Sequence, residues 1–251
     1  MEDRYPRVQS REIGIARAVV YRFLSQCFSH PDGELLELFC SAKLEEVIQS
    51  CHYLDLNTSE TVAIANNRLA ARLNPQDALM ELEKEYTRLF ITAYPKVIAP
   101  PYSSVYLDKG RFVWGQSTAE VAKMYQAAGL GISKNFHDIP DHIAAELEFA
   151  SYLIQEQIIS GLHTRQANHE LPSIENRFLE GHLFRWALTF FHQVSESSPT
   201  TFYGIIARLA AQFIAWDAQR LNKESQRNPS TQLNITPSVE EVQKKANSSV
   251  Q

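Results

Sequence analysis

Asp138-Ile139-Pro140-Asp141-His142-Ile143-Ala144-Ala145-Glu146-Leu147-Glu148-Phe149 opens a long helical pattern that runs to just before Gly161. Ile143, Leu147, Ala150, Ile154 and Ile158 recur at three- and four-residue spacings, the period of one buried helix face. His142 and Glu146 stand one turn apart beside that stripe, with Asp141 and Glu148 on the neighbouring face. The same period returns along the rest of the chain, and no credible strand alternation competes with it. The expected class is therefore all-α, a single-domain bundle of about nine or ten helices around one core.

Upstream of this helix lies an irregular segment from about Ile91 to Gln116, built around Ala99-Pro100-Pro101-Tyr102-Ser103-Ser104-Val105-Tyr106. Connections of this length inside a domain are usually functional or disordered. Five aromatics between positions 94 and 114 (Tyr94, Tyr102, Tyr106, Phe112 and Trp114) argue for order, because disordered segments are poor in aromatics. The paired prolines stiffen the backbone and push Ala99 and Pro100 toward extended conformations. Val105–Leu107 and Arg111–Val113 flank Asp108-Lys109-Gly110 and predict a small hairpin. Ser117-Thr118-Ala119-Glu120 predicts a capping box opening the next helix.

Before the loop, Pro75 to Phe90 carries an apolar stripe of Leu79, Leu82, Tyr86, Leu89 and Phe90, with Glu81/Lys84 and Glu85/Arg88 as charge pairs. Earlier helices are expected over Ser10–Phe28, after His30-Pro31-Asp32, and near Leu44–Tyr53 and Thr58–Leu73. Downstream, Pro172 to Val194 reads as one central helix, apolar over most of its circumference. A last helix ends near Leu221. Residues 1–221 form the expected domain, and 222–251, polar and without aromatics, read as a disordered tail.

The 251-residue chain has a formal net charge of −5. The tail carries a net +1, which leaves −6 on the body; this argues against a nucleic-acid footprint and permits a basic partner. No apolar run reaches the ~20 residues of a membrane span, so no stable membrane insertion is expected. The N-terminus lacks a signal-peptide pattern, which predicts a cytoplasmic protein. Cys27, Cys40 and Cys51 fit neither a disulfide framework nor a zinc site and read as buried thiols.

Several catalytic patterns are missing. No glutamate has histidine at +3, as a di-iron bundle requires. His169-Glu170 runs into Leu171-Pro172 rather than a second metal-binding histidine. Gly129-Leu130-Gly131 lacks the third glycine of a dinucleotide site, and Gly115-Gln116-Ser117 lacks the closing glycine of a nucleophile elbow. What survives is Asp138, Asp141, His142, Glu146 and Glu148 at the start of the long helix. These read either as carboxylates favoured by the helix dipole with a local His142–Glu146 hydrogen bond, or as the acidic wall of a groove whose apolar wall is the proline loop. Such a groove suits an arginine-bearing apolar peptide.

Glu85-Tyr86-Thr87-Arg88-Leu89-Phe90, then Pro100-Pro101-Tyr102-Ser103-Ser104-Val105-Tyr106, then Pro140-Asp141-His142 through Phe149, and finally His182-Leu183 with Trp186 and Phe190 follow one another in order. Together they resemble the signature series of the TorD/DmsD/NarJ superfamily of redox-enzyme maturation chaperones, over roughly Arg11 to Leu221. The resemblance implies an all-helical cytoplasmic chaperone that is not an enzyme and holds no cofactor. Its partners would be the apo form of a molybdopterin-cofactor oxidoreductase of the dimethyl-sulfoxide-reductase type and that client's twin-arginine leader peptide. The chaperone would hold the client for cofactor insertion and prevent premature export. By the same resemblance Tyr102, Ser104, Tyr106, Trp114, Asp138, Pro140, Asp141, His142 and Glu146 form the client surface, and Glu85, Arg88, Pro100 and Pro101 brace the loop. Two alternatives stand beside it: a NarJ-like protein acting on a reductase subunit that is not exported, and a helical small-molecule enzyme using His142 and Glu146.

Overall fold

The computed structural model describes residues 4–56, 59–70, 74–92, 96–131, 139–162 and 170–227. Among them the chain is helical, without a strand: α1 (Arg4–Phe28), α2 (Gly33–Cys40), α3 (Ala42–Tyr53), α4 (Ser59–Ala70), α5 (Pro75–Tyr86), α6 (Ser103–Leu107), α7 (Gln116–Ala127), α8 (Ile143–Leu162), α9 (Leu171–Gly181), α10 (Ala187–Ser197) and α11 (Phe202–Arg227). The chain divides into two compact units, Met1–Ala215 and Trp216–Gln251. Within the second, Arg220 pairs with Asp217 and Glu224, each at 2.6 Å.

The first unit is organised on α1 and α8, which lie antiparallel. Small residues let the two backbones approach. Gly14 faces Ile154 and Ile158, the Ser151 hydroxyl donates to the Ala18 carbonyl at 2.9 Å, and the Ser25 hydroxyl donates to the Ala144 carbonyl at 2.9 Å. The α8 stripe is buried over most of its length: Ile143, Leu147 and Ala150 are inaccessible and Ile154 nearly so, while Ile158 is half-buried. A further link ties these helices to α9. Arg17 of α1 meets Glu175 at 2.6 Å, and the Gln157 amide of α8 donates to the other Glu175 oxygen at 2.6 Å. Beside this seam Phe28 packs its ring 5.2–6.5 Å from those of Phe90, Phe190, Phe191 and Tyr203. This aromatic cluster is the centre of the core.

Several sequence expectations are corrected. The helix over 75–90 is not uniform: α5 gives way at Thr87–Ile91 to a single π-helical turn. Tyr86, Leu89 and Phe90 are all buried there, and the Tyr86 and Phe90 rings lie 4.9 Å apart. The pattern over 172–194 is also broken. Gly181 ends α9, a 3₁₀ turn covers Leu183–Arg185, and α10 starts afresh at Ala187. The predicted hairpin is absent, because Ser103–Leu107 is the short helix α6. The capping box at Ser117 does not form. Gly115 is the cap residue of α7, and the Asp108 carboxylate from the loop accepts the Ser117 backbone N–H at 3.2 Å and the Ser117 hydroxyl at 2.6 Å. Cys40 is exposed, whereas Cys27 and Cys51 are buried; all are free thiols. The last helix continues to Arg227, past the expected end at Leu221.

Candidate binding site at the loop and helix junction

The proline loop and the start of α8 meet, and they meet through backbone. Tyr102 and His142 form an antiparallel bridge. The Ser103 N–H donates to the Asp141 carbonyl at 3.0 Å, and the Ile143 N–H donates to the Pro101 carbonyl at 2.8 Å. The prolines bring no N–H of their own, so their extended backbone offers carbonyls to the open end of α8. The Asp141 carboxylate in turn caps α6: its Oδ2 accepts the Ser104 N–H at 2.9 Å and the Ser103 hydroxyl at 3.4 Å. Its Oδ1 is buried without a hydrogen-bond partner among the described residues, which leaves part of the carboxylate's desolvation cost uncompensated. Tyr125 of α7 closes the junction from the other side, donating to the Pro140 carbonyl at 2.8 Å.

His142 lies almost wholly inside the protein. Its Nδ1 accepts the Ala144 N–H at 3.2 Å, which in the neutral ring places the proton on Nε2, 3.4 Å from the Tyr86 hydroxyl. The Tyr102 ring meets it edge-on at 5.3 Å. One turn further, the inaccessible Glu146 carboxylate receives two donors, His182 Nε2 at 2.7 Å and Trp186 Nε1 at 2.9 Å. Burial raises the Glu146 carboxyl above its ordinary range, against the pull of His182, Trp186 and Ser103. Burial, the largest influence, disfavours the charged His182 ring, but Glu146 together with Asp141 and Glu120 outweighs it and the imidazole is raised as well. The pair therefore holds a proton between them more firmly than either group does in water.

The loop aromatics divide into two sets. Tyr106 stacks obliquely on Trp186 at 5.3 Å and donates its hydroxyl to Gln193 at 2.8 Å; burial pushes that hydroxyl's pKa well up. Tyr102 and Tyr106 are thus half-buried anchors. Phe112 and Trp114 are 76 % and 69 % exposed.

Of the residues predicted for the client surface, Ser104, Pro140, Asp141, His142 and Glu146 are buried, Tyr102 and Tyr106 are half-buried and Trp114 is exposed. Asp138 lies outside the described residues. Pro101 is buried and Pro100 half-buried. Glu85 and Arg88 pair at 3.7 Å, and Arg88 also reaches the Ser198 hydroxyl at the link between α10 and α11. The structure thus gathers Tyr102, Ser104, Asp141 and His142 into one junction, with Glu146 one turn below and Trp114 apart at the loop tip. Sequence reasoning did not assign His182 and Trp186 to this constellation, nor Arg17, Glu175 and Gln157 to the seam beside it. The available signal was Gly181 before His182, which stops α9 and frees both donors to face α8.

These features define an all-helical protein in which buried polar groups hold a loop in place. The chain belongs to the nitrate reductase delta subunit family, whose profile matches residues 56–192. Curated relatives carry the name chaperone protein TorD. One from Vibrio cholerae is 31 % identical over 160 residues, 63 % of this chain and 69 % of the relative. That from Aliivibrio salmonicida is 26 % identical over 83 % of this chain and 95 % of its own length, and that from Shewanella pealeana 25 % identical over 86 % and 95 %. The TorD/DmsD/NarJ class of molybdoenzyme maturation chaperones, read from the motif series, is the class these matches give. Its members are chaperones and not enzymes.

Proposed function

We propose that this protein is a cytoplasmic chaperone that binds the apo form of a molybdopterin-cofactor oxidoreductase and its twin-arginine leader, holding the client until its cofactor is inserted. The observation that carries the reading is the buried junction, where motif segments some forty residues apart in sequence (Pro101–Ser104 and Asp141–Ile143) are locked together by backbone hydrogen bonds. The names of the curated relatives support it. In this reading Tyr102 and Tyr106 present the surface that the client meets, and Trp114, apart at the loop tip, does not belong to it. Ser104, Asp141, His142 and Glu146 hold that surface from beneath, and Pro100, Pro101, Glu85 and Arg88 fix the chain that leads into it. The body's negative charge favours the approach of an arginine-bearing peptide.

Titration calorimetry with leader peptides and with apo-oxidoreductases tests the proposal. Asp141→Ala and His142→Ala are expected to weaken binding about tenfold at unchanged helicity. Failure to bind any leader or apoenzyme would sink it. The nitrate reductase delta subunit match favours a second, related reading, in which the mature part of a reductase subunit is the client and no leader is needed. A pull-down of the client with its leader deleted separates the two: retention supports the second reading, loss the first.

A further inference from the structure

The six residues Lys109–Trp114 form a continuous exposed tip between α6 and α7. Phe112 and Trp114 are the two most exposed large apolar side chains among the described residues, with Val113 between them at 44 %. A folded chain rarely offers three such residues in succession to water unless a partner takes them up. Arg111 and Trp114 also hold positive φ angles of 51° and 65°, uncommon for side chains of their size. The base of the tip is clipped. The Asp108 carboxylate binds the Ser117 N–H and hydroxyl, and the Asp108 carbonyl accepts the Arg111 N–H at 3.2 Å. Gly115 makes the clip fit, since a Cβ there would sit 1.8 Å from Asp108 Oδ2.

We propose that this tip is an interfacial membrane anchor, seating Phe112, Val113 and Trp114 at the boundary of an anionic lipid surface while Lys109 and Arg111 meet its headgroups. The charge at the tip decides the occupant. A leader peptide bearing paired arginines meets cations of its own sign at Lys109 and Arg111. An anionic leaflet presents negative headgroups directly above an apolar layer, the arrangement that alternating cations and aromatics match, and aromatic rings favour that depth. The nearby carboxylates keep their charge but are held at the base of the tip, Asp108 on Ser117 and Glu120 on the Gln116 amide at 2.7 Å, whereas Lys109 and Arg111 stand on its exposed end. The whole chain is negative, so attraction has to be local to the tip. Docking here is peripheral, since among the described residues no helix is long and apolar enough to cross a membrane. The proposal is independent of the client that the chaperone serves.

Co-sedimentation of the full chain with vesicles of about 30 % phosphatidylglycerol in phosphatidylcholine tests it, against vesicles of phosphatidylcholine alone. The wild type is expected to bind the anionic vesicles, and both Phe112→Ser/Trp114→Ser and Lys109→Glu/Arg111→Glu to lose about tenfold or more in partitioning. All of these side chains are exposed, so the variants should keep the wild-type helicity, checked by circular dichroism. Lipid brominated along its acyl chains should quench the wild-type tryptophan emission and leave the emission of Trp114→Phe largely intact, although that variant still binds. Absence of wild-type binding, partitioning of the variants within about twofold of wild type, or unchanged quenching in Trp114→Phe would overturn the anchor. The first of these results would leave the tip to a protein partner.

Discussion

Glu146 is fully buried and its carboxylate accepts two side-chain hydrogen bonds. Removing its carboxylate strands two donors, His182 and Trp186, in a site without water access. Glu146→Ala is therefore expected to cost about 3–5 kcal/mol in urea unfolding. A subtler change reads the proton. Both Glu146 and His182 have raised folded-state pKa values, from ordinary values of 4.5 and 6.5, so the folded state holds more protons than the unfolded one. The pair's contribution is thus fully present below the unfolded values and is lost as pH rises through the raised ones. In Glu146→Gln the buried His182 loses the largest of the influences that raised it, so burial weighs more heavily toward its neutral form. The stability difference between wild type and Glu146→Gln should be greatest below pH 4.5 and narrow as pH rises past 6.5. A difference that stays constant or widens refutes the shared proton. Asp141, Glu120 and the other acids near His182 remain in both proteins, so their titration largely cancels in the comparison.

At the scale of elements, helix α7 depends on a residue outside itself. Asp108 supplies the cap that Ser117 was expected to provide, and it does so across the tip, joining the two ends of the exposed turn. Asp108→Ala should cost about 1 kcal/mol, the usual worth of a cap. Gly115→Ala should cost a similar amount by a related route, because the new Cβ displaces the same carboxylate. The double variant is then expected to lose little more than either single one, a non-additivity that a double-mutant cycle in urea measures. Additive losses would mean that the glycine matters for some reason other than Asp108. These elements also show where sequence reading succeeds. The α8 stripe and the charge pairs Glu81/Lys84 and Glu85/Arg88 depend on neighbours within one or two turns, and such spacings are visible in a linear sequence. The Asp108 cap, the break at Gly181 and the π turn at Thr87 depend on what packs against them from distant segments. Ser117 had the right local chemistry for a cap and lost to a carboxylate nine residues away. The site was legible in the same measure. Its segments were recognisable by motif, but whether Asp141 and Glu146 face solvent or lie beneath the loop is set by tertiary packing.

For the whole molecule, burial of Ser104, Asp141, His142 and Glu146 restricts how a client is received. Either the client docks on the surface that these residues support, or the junction opens and the client replaces its internal hydrogen bonds. Opening would break the Ser103–Asp141 and Ile143–Pro101 backbone bonds together and expose the Tyr102–His142 contact, so the cost would be deducted from affinity. Surface docking avoids that cost and uses the rigidity of the loop to limit the entropy lost on capture. Hydrogen exchange distinguishes the two. With surface docking, the Ser103, Ser104 and Ile143 amides are already protected in the free chaperone and become more so with client bound. A saturating leader at about a hundred times its Kd then stabilises the fold by about 2.7 kcal/mol. Asp141→Asn, which weakens the cap on α6, should speed exchange at Ser104 before any client is added. Faster exchange at Ser103 and Ile143 on adding the client would show that the junction opens, and would turn the buried carboxylate from a brace into a contact.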